Sequence, residues 1–405
     1  MKKKQKRIYI LLLIIFLTLG CVNVPAIDFA TPVPTFDSST LVTEISQQDS
    51  FEWTLMQMES PVLDPPPQNS PQLVIGLDGR LHLFWDTLAS GDSFIYHAYF
   101  QDGTWSTPSA ISLSLGTSKL FTTPVVSPDG VIHVIWKNDL KLGGPYRLLY
   151  TSFDGINWGE EIEVYTSESD IGLWGELFVD ERSVLHAIVR ASDGIKPSYF
   201  YLTQNNDHWS SSEPITPKTG LDGLVTWQYK PLPSGRVLLY GKDLNRNLRL
   251  SYWEAGETNS VVKTNIQLPI YTDFFVDSSA NYYIYWTGQV PIPGGATTGA
   301  YYQCIDTQAR LWSEAVLSGE KTVITKPLIA QNKSLMVMAW INRDNTIEFL
   351  LPNGCESAKV YSLTLPESKT QKQLLAMAVN ETPKGLCFLY KHNYNEFALY
   401  CSAIP

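Results

Sequence analysis

Three histidines recur at equivalent places in consecutive, similar segments of the chain. His82 lies in "LVIGLDGRLHLFW" (73–85), His133 in "PVVSPDGVIHVIW" (124–136) and His186 in "ELFVDERSVLHAIV" (176–189). Imidazole is a common zinc ligand, and three such ligands make a metal centre. Equivalent residues of successive repeats point into different interfaces, however, and do not converge. We therefore predict packed, hydrogen-bonded histidines, and we expect no metal site and no cofactor.

Charged residues follow the same apolar segments directly and could contact a ligand. Because equivalent loops of a repeat protein open on one face, we expect a shared binding surface there. The predicted ligand-binding residues of this group are Asp86, Lys137, Asp139, Arg190, Asp243 and Arg343. Trp174 and Trp227 precede strands on the same face, where an exposed indole stacks on a sugar ring or anchors a peptide. Packing between repeats is the alternative for both. The longest insertion, "TGQVPIPGGATTGA" (287–300), is predicted to be a lid or partner contact.

The segments that carry these residues repeat seven times. Each is an apolar strand, a polar turn and a second apolar strand, and they recur about every fifty residues from residue 73 to residue 390. Third and fourth strand-like runs follow, and no amphipathic helical periodicity of useful length is present. Four antiparallel strands repeated radially are typical of a propeller. The predicted fold class is therefore all-β, a seven-bladed β-propeller with four antiparallel strands per blade.

The last repeat ends after three strands. The remaining strand-like run, "FEWTLMQMES" (51–60), stands just before the first repeat. We predict that it pairs with the strand at 397–402, supplies the missing outer strand and closes the ring. The predicted propeller domain is residues 51–405.

Two of the turns that follow a third strand place Asp-Gly between apolar runs, which favours a tight hairpin. They are "QDGTW" and "SFDGINW" (152–158), and "NNDHW" is a more degenerate version. "SFDGINW" resembles the Asp-box of sialidase-like propellers, Ser-x-Asp-x-Gly-x-x-Trp, with one residue fewer between Asp154 and Trp158. The resemblance covers the repeats as a whole. It implies a propeller architecture and leaves the activity open, since this box is a peripheral structural turn.

A sialidase of the family that the chain resembles would need three arginines on a substrate carboxylate, a tyrosine nucleophile with a glutamate, and an aspartate acid/base. The residues that this resemblance nominates are Arg190, Arg246, Arg343, Glu176, Tyr229 and Asp86. The early Arg-Ile-Pro signature of the family is absent. Binding of a glycan or protein ligand without turnover is thus the favoured function. Exo-acting glycoside hydrolysis of the sialidase type and a scaffold role in envelope assembly are the alternatives.

The first residues, "MKKKQKRIYILLLIIFLTLGC", combine a basic cluster with a short apolar run that ends at Gly20 and Cys21. This ending resembles the lipobox of bacterial lipoprotein signal peptides. It implies a signal peptide at 1–20, lipidation of Cys21 and a location on the outer face of a membrane in the bacterial envelope. An ordinary signal peptide or an uncleaved anchor is the alternative. Residues 21–50, which lack periodicity, are predicted to be a flexible tether.

The charge of the chain argues against one class of partner. The formal net charge is −10 at pH 7, with 30 Lys+Arg against 40 Asp+Glu. Nucleic-acid binding needs clustered basic residues, so we expect no nucleic-acid partner. We expect a monomer that contacts the membrane through its N-terminal lipid only.

Four cysteines remain after Cys21, and an exported chain can keep disulfides. Cys387 and Cys401 each lie seven residues from Tyr394, so an antiparallel hairpin places them opposite each other. We predict a disulfide between them, with free buried thiols as the alternative. A bridge between Cys304 and Cys355 would join repeats five and six.

Overall fold

A computed structural model of the chain describes residues 56–58, most of 69–215 and, between 226 and 403, chiefly the strands given below. Every regular element in this part of the chain is a β-strand. No helix that could span a membrane occurs among the described residues. The strands form seven antiparallel sheets, named sheets 1 to 7 in chain order.

Sheets 1 to 4 follow one plan in which the first, second and third strands are hydrogen-bonded in sequence order. A first strand, β1 (Met56–Met58), precedes them. Sheet 1 contains β2 (Gln72–Ile75), β3 (Leu81–Asp86), β4 (Ile95–Gln101), β5 (Thr104–Trp105) and β6 (Ser109–Ala110). Sheet 2 contains β7 (Thr117–Lys119), β8 (Val125–Val126), β9 (Ile132–Asp139), β10 (Tyr146–Phe153) and β11 (Ile162–Ser167). Sheet 3 contains β12 (Trp174–Val179), β13 (Leu185–Ser192), β14 (Pro197–Asn205), β15 (His208–Trp209) and β16 (Glu213–Pro214). Sheet 4 contains β17 (Thr226–Pro231), β18 (Val237–Lys242), β19 (Asn247–Glu254), β20 (Glu257–Thr258) and β21 (Val262–Gln267).

The remaining sheets differ in how many pieces make up their outer strand. Sheet 5 contains β22 (Tyr271–Val276), β23 (Tyr282–Ile292), β24 (Gly295–Asp306), β25 (Leu311–Trp312) and β26 (Val316–Leu317). Sheet 6 contains β27 (Leu328–Asn332), β28 (Leu335–Ile341), β29 (Thr346–Asn353) and β30 (Ser357–Thr364). Sheet 7 contains β31 (Gln373–Glu381), β32 (Lys384–Asn393), β33 (Glu396–Ala403) and β1.

The turns of sheet 1 show how the sequence forms these hairpins. Asp102 and Gly103 have φ angles of 52° and 88°, which is the primed turn that an Asp-Gly pair favours. Gly79 and Gly130 also have positive φ, at 77° and 91°, in the turns between the first and second strands of sheets 1 and 2. In sheet 3, Ser183 takes this place with a φ of 64°.

The predicted secondary structure of one insertion is wrong. Residues 287–300 were predicted to be a loop that forms a lid or partner contact, but the structure continues β23 and β24 through them as a long hairpin. The role of this insertion as a lid or partner contact stays a prediction. Thr287 pairs with Ala300, and Ile292 pairs with Gly295 at the tip. The Val, Ile and Thr residues of this stretch favour strands, and this propensity outweighs its Gly and Pro content.

Neighbouring sheets bury their apolar side chains against each other. Shared hydrophobic clusters join sheets 6 and 7, 7 and 1, 1 and 2, 2 and 3, and 3 and 4. The aromatic residues that end the second strands, Trp85, Trp136 and Trp340, are at most 1% exposed. Truncating such a side chain costs about 3–5 kcal/mol of stability. The core is therefore a succession of interfaces between stacked sheets.

The two ends of the described chain meet in sheet 7. β1 pairs antiparallel with β33, and Met56 lies opposite Cys401. Cys401 in turn lies opposite Cys387 of β32, and the two are joined by a disulfide. Cys355 lies outside the described residues, so its pairing with Cys304 stays a prediction. The signal peptide, Cys21 and the tether also lie outside them.

Candidate functional site

The candidate site lies at the end of the sheets where first strands begin and second strands end, here named the mouth end. Trp174 begins β12, and the register places it opposite Arg190 of β13. Arg190 lies in turn opposite Tyr199 of β14. Opposite residues of antiparallel strands share a face, so these three side chains lie on one side of sheet 3. Glu176 lies on the same side, two residues after Trp174.

Sheet 4 completes this group with Tyr229 of β17. The Tyr229 ring lies 5.5 Å from the Trp174 ring and 5.4 Å from the Tyr199 ring, the second in an edge-on arrangement. Trp174, Glu176, Arg190, Tyr199 and Tyr229 are named the Tyr229 cluster. Beneath it, Phe178, Ile188 and Leu239 form the apolar part of the interface between sheets 3 and 4.

Arg190 brings a positive charge to this cluster. Its guanidinium packs against Gly172, where an added Cβ would lie 3.6 Å from Cζ. Gly172 has a φ of 72°, so glycine suits this position both for its backbone and for its small size. Nε of Arg190 is buried and has no hydrogen-bond partner among the described residues. Within the described part of the chain, at least one donor of the guanidinium is therefore left without an acceptor.

Tyr229 carries a second unsatisfied group. The residue is 8% exposed, and its hydroxyl has no hydrogen-bond partner among the described residues. Burial raises the pKa of Tyr229 well above its usual range, and the charge of Glu176 adds to the rise while Arg190 opposes it. The phenol therefore stays neutral at physiological pH and can donate a hydrogen bond. A buried polar group without a partner costs about 1–3 kcal/mol, and an anionic ligand would supply the missing acceptor.

The structure brings together three of the residues that the family resemblance nominates, Arg190, Glu176 and Tyr229. Arg246, Arg343 and Asp243 lie outside the described residues. Trp227 is in β17 opposite Gly241, and only its backbone is described. Tyr199 was not among the predicted residues. Its register position opposite Arg190 is the signal that could have found it.

Asp86 does not open onto the mouth end as the sequence analysis expected. It is 1% exposed, and its carboxylate accepts hydrogen bonds from the backbone N–H and the side-chain amide of Asn69 and from the backbone N–H of Leu120. Burial raises the pKa of Asp86, and these hydrogen bonds oppose the rise. Asp86 thus ties the start of sheet 1 to sheet 2 and has no room for a ligand.

Lys137 is also buried, although it was expected to be exposed. It is 4% exposed, its ammonium lies 3.3 Å from Asp139, and it sits 5.1 Å from the centre of the Tyr146 ring. Burial lowers the pKa of Lys137, whereas Asp139 opposes the shift. Asp139 is partly buried. Within sheet 2, both side chains therefore have structural partners.

The three repeated histidines each have partners of their own. Nδ1 of His82 lies 2.9 Å from Nε2 of His97, His133 Nδ1 lies 2.8 Å from the Tyr150 hydroxyl, and His186 Nδ1 lies 2.7 Å from the Tyr201 hydroxyl. Burial lowers the pKa of His82 to about 4 and that of His97 to about 3. These histidines are neutral members of separate hydrogen-bonded pairs.

The Asp-box-like turn stabilises the architecture. Asp154 accepts hydrogen bonds from the backbone N–H groups of Ile156 and Asn157, at 2.8 and 2.7 Å. Trp158 then packs into the interface between sheets 1 and 2, against Phe84 and Phe153. The tryptophan that follows each such turn is therefore part of the packing between sheets.

No protein-family model and no curated protein matches the chain. Solved structures share its fold. The polysaccharide lyase Uly1 has a TM-score of 0.51 at 9% identity, over 91% of this chain and 95% of its own. Hydrazine synthase of Kuenenia stuttgartiensis has a TM-score of 0.51 at 10% identity, over 87% and 98%. The NanB sialidase from Streptococcus pneumoniae aligns at 14% identity over 86% and 70%, with a TM-score of 0.40. The chain thus has an all-β, propeller-like fold of antiparallel sheets.

Proposed function

We propose that the protein is an exported, lipid-anchored β-propeller that binds an acidic glycan at the Tyr229 cluster without turning it over. The observation that carries this proposal is the pairing of two unsatisfied donors, Nε of Arg190 and the hydroxyl of Tyr229, within one aromatic cluster. Guanidinium groups bind carboxylates through two parallel hydrogen bonds. Aromatic side chains such as Trp174 offer a face to a sugar ring.

The proposed propeller has seven blades and is closed by the N-terminal strand. Two observations support this arrangement: sheets 7 and 1 share a hydrophobic cluster, and β1 is hydrogen-bonded to β33 of the last sheet. In a closed ring the equivalent ends of all sheets open on one surface. Loops from several blades would then surround the Tyr229 cluster.

The proposed location rests on the N-terminal sequence. Basic residues, the apolar run and Gly20 before Cys21 support export and lipidation at Cys21. The lipid would hold the domain outside a membrane as a monomer, and the acidic net charge supports a partner other than nucleic acid.

Sialidase-type hydrolysis is the second candidate, because Tyr229 lies close enough to Glu176 and Arg190 for their charges to affect its pKa. In that reaction the phenol oxygen would attack the anomeric carbon while the glutamate accepts the phenol proton. The glycosidic bond would break at the same carbon, and the aglycone oxygen would leave with a proton from an acid/base. A tyrosine nucleophile needs a lowered pKa or a general base that is hydrogen-bonded to its hydroxyl. Burial instead raises the pKa of Tyr229, and this favours binding over catalysis.

Titration calorimetry with the purified full-length chain tests the proposal. The probes are sialyllactose, galacturonic acid and neutral lactose, and a fluorogenic sialoside and an aryl glycoside report turnover. We expect binding of an acidic sugar, no binding of lactose and no turnover. Arg190→Gln is expected to weaken binding by at least about tenfold, the effect of losing a charged hydrogen bond.

Arg182→Gln is the matched control. Arg182 is a largely exposed arginine at the opposite end of sheet 3, where it pairs with Asp180. Its loss should leave the affinity unchanged. Failure of every acidic sugar to bind would refute the proposal, and turnover that disappears in both Arg190→Ala and Arg343→Ala would replace it with the hydrolase.

A further inference from the structure

A second cationic position lies one sheet away from the Tyr229 cluster. Lys119 is the last residue of β7, and the register places it directly opposite Lys137 of β9. Like charges that face each other across strands repel, so such a pair is unfavourable without an anion nearby. Asp139 pairs with Lys137, whereas Lys119 has no ion pair among the described residues.

The two lysines differ in exposure. Lys137 is buried, while Lys119 is only partly buried. Lys119 can therefore meet a ligand, and the ammonium of Lys137 behind it adds to the positive potential. The positive charge of Lys119 also contributes to the lowered pKa of Lys137, which agrees with their proximity.

This lysine pair faces sheet 3, which carries Arg190. Lys137 lies on the same side of β9 as Ile135, and Leu148 lies opposite Lys137 in β10. Ile135 and Leu148 pack against Gly175 of sheet 3, where an added Cβ would lie 3.0 and 2.9 Å from them. The lysine pair is therefore at the mouth end of the interface between sheets 2 and 3, next to the sheet whose other side forms the Tyr229 cluster.

The first strand of sheet 2 is divided into two pieces at Lys119. It is interrupted after this residue, since β7 and β8 pair separately with β9. The intervening chain reaches across to both neighbours: Thr123 donates a hydrogen bond to Gln72 of sheet 1 at 2.7 Å, and Thr122 lies 3.4 Å from the carbonyl oxygen of Gly175. Lys119 thus stands at a break in the innermost strand.

We propose that Lys119, supported by Lys137, is a second anion subsite, so that the ligand is an acidic oligosaccharide with negative groups on more than one sugar. This inference rests on the proposed binding function, in which Arg190 holds the first acidic group. Two cationic positions on adjacent sheets suit a chain of acidic sugars better than a glycan with one terminal acid. Repeated carboxylates would neutralise both positions.

The test measures affinity as a function of ligand length with the full-length chain. Galacturonic acid, its dimer and its tetramer are titrated against wild type, Lys119→Met, Lys119→Arg and Lys230→Met. For wild type we expect affinity to increase with length. Lys119→Met should weaken tetramer binding by about tenfold or more, the effect of one charged hydrogen bond, and leave monomer binding within about twofold. The affinity of Lys119→Met for the tetramer should also depend less on salt concentration than the affinity of wild type.

The controls separate this inference from the proposed function. Lys119→Arg retains the charge and should restore tetramer binding, and Lys230→Met removes a partly buried lysine of sheet 4 and should change nothing. Equal affinities of wild type and Lys119→Met for the tetramer would refute the second subsite. In that case, monomer binding that depends on Arg190 would still support the proposed function. No binding of any of the three sugars by wild type would refute the second subsite, and the titration with sialyllactose would then decide the proposed function separately.

Discussion

The interface between sheets 1 and 2 and the interface between sheets 3 and 4 both bury polar groups at the mouth end, but they satisfy them differently. Asp86 accepts hydrogen bonds from three donors of the surrounding chain. In the Tyr229 cluster, Nε of Arg190 and the hydroxyl of Tyr229 have no acceptor among the described residues. Buried polar groups in stable proteins are nearly always hydrogen-bonded. The first interface therefore serves the fold, and the second contains the two donors on which the proposed ligand binding rests.

The largest expected effect is a loss of stability on acidification, to which the two buried histidines of sheet 1 contribute. His82 and His97 have pKa values of about 4 and about 3 in the folded protein, below the usual value of 6.5. Because the unfolded chain binds more protons between pH 6.5 and pH 4, stability is present above pH 6.5 and falls as the pH is lowered through this window. The contribution of His82 and His97 to the loss at pH 5 is expected to be about 4 kcal/mol.

Urea unfolding of wild type and variants at pH 7 and pH 5 measures this loss. His97→Phe removes one buried titrating group and should reduce the difference between the two pH values. His208 is exposed, so His208→Gln should keep the wild-type difference. A difference that stays unchanged in His97→Phe would show that the sheet 1 histidines do not cause the acid sensitivity.

The second effect compares Asp86 with Arg190 directly. Asp86→Ala leaves the buried backbone N–H of Leu120 without its acceptor and removes two hydrogen bonds from the exposed Asn69, so the free energy of unfolding should fall by about 2–3 kcal/mol. Arg190→Met removes a group whose Nε has no partner and should cost under about 1 kcal/mol. Chemical denaturation measures both, with the exposed Glu160→Ala as a neutral control. Equal losses in the two variants would contradict the distinction between the interfaces.

The sequence predicts much of the fold because hairpin physics is local. The segments at 73–85 and 124–136 contain the first and second strands of sheets 1 and 2, and Asp102-Gly103 forms the primed turn. The alternation of apolar and polar residues and the identity of the turn residues predict each hairpin from a few neighbouring positions. For 287–300 the length of the insertion predicted a loop, whereas the structure forms a strand hairpin there.

The candidate site was less predictable, because burial depends on contacts between distant segments. The equivalence of the repeats placed Arg190 near one end of sheet 3, the family resemblance nominated Glu176 and Tyr229, and the structure adds Tyr199. The same equivalence predicted an open position for Asp86. The partners that bury Asp86, Asn69 and Leu120, come from segments that precede and follow the repeat, and no local pattern reveals them.

The smallest expected effect tests the unsatisfied hydroxyl itself by comparing two tyrosines. Tyr229→Phe deletes a buried hydroxyl without a partner, so stability should stay equal or increase by up to about 1 kcal/mol. Tyr150→Phe deletes a hydroxyl that lies 2.8 Å from His133 Nδ1, and it should cost about 1–2 kcal/mol. Both variants lose one oxygen from a buried tyrosine, so the two changes in stability can be compared directly. Thermal and urea unfolding measure them. A loss in Tyr229→Phe as large as in Tyr150→Phe would mean that the protein already satisfies the Tyr229 hydroxyl. The Tyr229 cluster would then have no free phenol donor for an acidic ligand.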